Sequence, residues 1–97
     1  MLTQDPLPTA EQRELLGNML HIAFVELRAL CWNGRSAQAA DLADAFHNIP
    51  HEMNRYGAFS WDRFRTMLEG YQYKWRTQGS PASGVDYVSM LDEIRRS

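Results

Sequence analysis

The stretch LLGNMLHIAFVELRALCW, Leu15 to Trp32, is the longest apolar run in the chain and the only one broad enough for a central helix. At a helical step of about 100° per residue, Leu16, Met19, Leu20, Ala23, Phe24, Leu27, Leu30 and Cys31 fall in one wide arc. Leu15, Ile22, Val25, Ala29 and Trp32 form a second strip, which leaves a narrow polar sector around Gly17, His21 and Arg28. A helix apolar over more than half its circumference needs several neighbours to cover it. The rest of the chain is expected to supply three amphipathic helices that sheathe this one.

Signals for those helices lie on either side. Pro6 and Pro8 bias residues 1–8 towards an extended arm. Thr9 with Gln12 three positions on reads as a capping box, and Glu11 suits the first turn, so the first helix spans about 10–32. Asn33-Gly34 stops it, with glycine in the left-handed conformation. Ser36 caps a second helix over 37–49, whose stripe of Ala39, Leu42, Ala43, Phe46 and Ile49 is apolar and in part small, as a tightly packed antiparallel hairpin needs. Pro50 ends or kinks it, and residues 50–56 form a short helical turn before Gly57. Ser60 caps a third helix over 61–77, where Trp61, Phe64, Leu68, Tyr71 and Trp75 repeat at alternating steps of three and four. A fourth, over 85–96, carries Val85 or Tyr87, then Val88, Leu91 and Ile94 at helical spacing. No strand-like alternation, internal repeat or low-complexity tract competes, so the fold class is all-α: a small bundle of four principal helices.

Composition narrows the function. Ninety-seven residues suit a single helical domain over 1–97, with 44% hydrophobic and 23% charged residues as in ordinary globular proteins. Ten basic against twelve acidic residues give a net charge of −2, which offers nucleic acid or anionic lipid no overall attraction. The N-terminus lacks the basic-then-apolar order of a secretory signal, and the chain, which begins with methionine, reads as a complete small gene product. The first helix is about as long as a membrane span, but His21, Glu26 and Arg28 interrupt it, and charge at mid-bilayer depth is costly. One cysteine, Cys31, excludes an internal disulfide and fits a reducing compartment. A cytoplasmic protein is expected.

Several residues invite chemistry. Asp44, His47 and His51 would share a face of a continuous helix and make a ligand set for a divalent ion, but Pro50 interrupts the spacing on which such a site depends. Cys31 sits in the last turn of a helix, where the dipole disfavours a thiolate, so it reads as buried and structural. Glu26 projects towards the apolar side of the first helix, where a carboxylate needs a partner, and Arg63 or Arg65 is expected to supply it. Arg63, Arg65, Tyr71, Tyr73, Lys74, Trp75 and Arg76 give the third helix a basic and aromatic face, the chemistry of a single-strand binder, although its seam must bury several of these rings. No nucleophile elbow, phosphate-binding glycine loop, H-E-x-x-H or C-x-x-C occurs; neither catalysis nor a cofactor is expected.

What remains is association with protein. Three tryptophans, four tyrosines and four phenylalanines are a heavy aromatic load for so small a bundle. Trp32, Tyr56, Phe59 and Trp75 fall near helix ends or in connections that a compact core covers poorly, and Tyr73 and Arg76 lie off the seam. These six residues are the expected partner-binding set of an adaptor or regulatory domain, with a homodimer the economical way to bury them.

Overall fold

In the computed structural model, residues 7–56, 59–78 and 85–97 are described, residues 48 and 50–56 by their backbone only. Among the described residues there are four helices and no strand: α1 (Ala10–Trp32), α2 (Ser36–Tyr56), α3 (Trp61–Thr77) and α4 (Tyr87–Arg96). Several local signals act where they were expected, although Ser36, expected to cap α2, is the first residue within it. The Thr9 hydroxyl accepts from the Gln12 amide while the Gln12 side chain accepts from the Thr9 amide, closing the capping box. Gly34 ends α1 at a φ of 71°, and the amides of Gly34 and Arg35 donate to the carbonyls of Cys31 and Leu30. Ser60 and Asp86 cap α3 and α4 through the amides of Arg63 and Ser89.

Boundaries differ in α4, which starts at Tyr87 behind its Asp86 cap and not at 85, and in α2. The helical turn expected over 50–56 is not separate; α2 runs unbroken through Pro50 to Tyr56. Proline removes the bond to the Phe46 carbonyl, but its fixed φ is itself helical, so the helix loses one link without having to end.

The helices pack in a ring in which α1 and α3 each lie between α2 and α4 and face one another across the diagonal. Cross-links show that neighbours are antiparallel. Gln12, near the start of α1, donates to the carbonyls of Ile94 and Arg95 at the end of α4 (3.3 Å each). Arg65, early in α3, holds Asp92, late in α4, at 2.9 Å, and Lys74, late in α3, holds Asp41, early in α2, at 2.7 Å. The three sheathing rods expected around α1 are therefore two, because in a ring of four each helix has only two neighbours.

The core takes Leu16, Met19, Ala23 and Leu30 from α1, with Leu42, Phe46, Phe64, Leu68, Tyr87 and Leu91 from the other three. Its centre is aromatic: Phe46 meets Phe64 and Tyr87 edge-on at 5.4 and 5.2 Å, and Phe59 meets Trp61 at 4.8 Å. Phe59 is 2% exposed, which corrects its assignment to a poorly covered connection. It precedes α3 and folds back to close the end of the core against Trp61 and Phe64. On α2, Ala43 is exposed, whereas Gln38 and Ala45 are buried with Ala39, Leu42 and Phe46.

Candidate interaction surface

Glu26 marks how α1 is set in the bundle. The expected buried arc was centred between Leu16 and Leu27, yet Leu27 is only half-buried, Phe24 is 56% exposed and Cys31 is exposed, while Glu26 is 9% exposed. The helix is turned by roughly 50° about its axis towards Glu26, taking a residue step of about 100°. Cys31 is thus a surface thiol, not the buried structural cysteine that was expected.

The turn is stabilised by the partners that Glu26 finds. Its carboxylate accepts from the Tyr71 hydroxyl at 3.3 Å and from the Tyr87 hydroxyl in a short contact, and Gln38 donates to the Tyr71 oxygen at 3.1 Å. Arg63 and Arg65 are not its partners. Arg63 is exposed on α3, and Arg65 pairs with Asp92 and Glu69 on the surface. The four groups Glu26, Gln38, Tyr71 and Tyr87 come one from each helix and are all buried. Burial pushes the Tyr71 phenol up to about 12, the charge of Glu26 adding to it against the opposing effect of Gln38. Burial and the Glu26 carboxylate push Tyr87 upward as well. At neutral pH both phenols therefore keep their protons and donate them to Glu26. The cluster joins the four helices through a hydrogen-bonded polar centre.

Most of the second strip nonetheless faces out. Ile22, Val25 and Trp32 are 37%, 58% and 74% exposed, and Asn18 before them and Ala29 among them are exposed too. Leu15, Asn18, Ile22, Val25, Ala29 and Trp32 recur at steps of three and four, the seam spacing by which one helix packs along another. At its C-terminal end the Arg28 guanidinium stacks over the Trp32 ring, 4.2 Å from the centroid. At its other end the seam borders a groove between α1 and α4, of about 370 Å³, lined by Leu15, Asn18, Ile22, Met90 and Glu93 among others. On the opposite flank of α1, Phe24, Leu20 and Leu27 line a second groove with Leu42, Phe46 and His47 of α2, of about 240 Å³.

The other expected contact residues are dispersed. Tyr73 is 74% exposed and Arg76 is exposed on α3, away from the α1 seam. Trp75 is half-buried, its indole N–H donating to Asp41 at 3.0 Å, with Lys74 on the same carboxylate. These two donors hold the Asp41 carboxyl below its usual range, Lys74 having the larger effect. The Tyr56 side chain lies outside the described residues. On the basic face of α3, Lys74 and Arg65 pair with carboxylates, Tyr71 is buried, and Arg63, Tyr73, Lys74 and Arg76 are exposed. Asp44 and His47 are exposed on α2, and the His51 side chain lies outside the described residues. Among the described residues no three His, Cys, Asp or Glu side chains converge on a point where a metal could bind.

The tyrosines around Glu26 could not be paired with it from spacing alone, because they lie 45 and 61 residues away. The outward seam was legible as a strip; what could not be read is the turn towards Glu26 that puts Phe24 and Cys31 outside as well. Comparison of the chain with protein-family models, curated proteins and solved structures finds no match.

Proposed function

We propose that this chain is a small, non-catalytic helical interaction domain of the cytoplasm that self-associates, acting as an adaptor or regulatory module in its dimeric form. The observation that carries the reading is the seam on α1. Its apolar residues lie on the longest helix, at interhelical spacing, facing away from a core that is already filled. The heavy aromatic load is a weaker support, since Phe46, Phe59, Trp61, Phe64, Tyr71 and Tyr87 are taken up by the core. By length and composition α1 could also cross a bilayer. What favours the soluble reading is that one face of it is built into a bundle whose other three helices are amphipathic, with Glu26 and Gln12 hydrogen-bonded to them.

Light scattering across a concentration series tests the reading. The chain is expected at twice its 11.2 kDa mass, and Val25→Glu is expected to return it to a single chain with its helical circular dichroism unchanged. A single-chain mass for the wild type at high concentration would refute self-association.

A further inference from the structure

Resting on the self-association proposed above, we infer that the two copies pair antiparallel along α1, each seating its Trp32 in the α1–α4 groove of the other. A projecting ring and a recess lie on the same exposed side of α1, at opposite ends. Trp32, 74% exposed, is the projection, and the groove beside Leu15, Asn18 and Ile22 is the recess. They are separated by 17 residues, roughly 25 Å at a helical rise of 1.5 Å. A two-fold axis across the middle of α1 exchanges its ends, so both rings reach both recesses in one closed, self-complementary contact. A parallel pair would set ring against ring and leave both recesses empty.

Charge along the helix selects the same orientation. Glu11 and Glu14 are exposed in the first turns of α1, and Arg28, stacked on Trp32, is exposed near its end. Arg13 lies roughly 140° round from the seam at a helical step of 100° and does not offset them. Antiparallel pairing brings Arg28 and Trp32 of one copy to the Glu11 and Glu14 end of the other, whereas parallel pairing opposes like charges at both ends. Setting Trp32 opposite Leu15 also fixes the register. Val25 then meets Ile22, and Ala29 meets Asn18.

Disulfide trapping reads that register directly. In a Cys31→Ser background, Ala29→Cys and Asn18→Cys chains are oxidised separately and as a mixture, after each has been shown by circular dichroism to keep its helix content. The mixture is expected to give the cross-linked dimer and the separate chains none, because cysteine Cα atoms must come within about 7 Å to bridge. Trp32→Ala is expected to raise the dimer dissociation constant about tenfold or more. Cross-linking of each chain with itself, or of none, in a protein that is dimeric by mass would overturn the antiparallel arrangement and leave self-association standing. A monomeric mass would overturn both. A monomer that floats with phosphatidylcholine vesicles would assign the seam to a lipid surface instead.

Discussion

Removing a single oxygen atom tests the account of Glu26. Tyr87 is fully buried, its ring packs edge-on against Phe46 at 5.2 Å, and its hydroxyl donates to the Glu26 carboxylate. Tyr87→Phe keeps the ring and deletes the donor. A hydrogen bond to a charged group contributes about 1.5–3 kcal/mol, and the carboxylate that stays behind, 9% exposed, retains only the longer 3.3 Å contact from Tyr71 among the bonds described. We expect a loss of about 2 kcal/mol, which for a domain of this size lowers Tm by roughly 10 °C. Urea unfolding followed by circular dichroism at fixed protein concentration measures it, the fixed concentration being needed because a dimer's stability depends on it. The same substitution made in Glu26→Gln should cost less, since a neutral amide depends less on the lost donor. The resulting coupling should be on the order of 1 kcal/mol. A Tyr87→Phe protein within about 0.5 kcal/mol of wild type, or a coupling of zero, would show that Glu26 is solvated by other means and that its burial does not orient α1.

Other expectations follow from the same geometry. Tyr71 and Tyr87 hold their protons more tightly in the folded state, so their contribution is fully present below pH 10 and drains away as pH rises through the Tyr71 value of about 12. Tyrosinate absorbance should therefore show these two ionising only as the helical signal is lost; their ionisation while the helical signal is intact would contradict the buried cluster. In acid the sign reverses. Asp41, Asp86 and Asp92 are held below the usual carboxylate range, chiefly by Lys74, by the Ser89 amide and by Arg65 respectively, so the stability they confer is lost as pH falls below about 4 through those lowered values, which an acid unfolding curve would show. Gly70 is exposed in α3 and a Cβ at that position would meet only open space, so Gly70→Ala should raise unfolding free energy by about 0.5–1 kcal/mol. Gly34→Ala should lower it by about 1 kcal/mol, because the left-handed φ of 71° strains any side chain; equal effects from the two substitutions would contradict this.

The residues that mark helix ends act on backbone groups within a few positions, and so their consequences are local. Thr9, Gln12, Gly34, Ser60 and the seam from Trp61 to Tyr71 suffice to place the helices from sequence. Pro50 is the instructive exception, since its local effect permits either a stop or a continuation and α2 continues. The rotation of α1 is of another kind. Its apolar residues nearly encircle it, so hydrophobic burial alone scarcely distinguishes one orientation from another. Two phenols, from α3 and α4, settle it by donating to Glu26, with Gln38 of α2 donating in turn to Tyr71, and that turns Phe24 and Cys31 outward while the Ile22–Val25–Trp32 seam stays outside. The number of helices and the ends of α1 and α3 were therefore written in neighbouring residues, whereas the full extent of α2 was not. How far the longest helix is rotated, and so that Phe24 and Cys31 lie outside, was decided only when Tyr71 and Tyr87 met Glu26, because hydrogen bonds between distant side chains are directional where apolar burial is not.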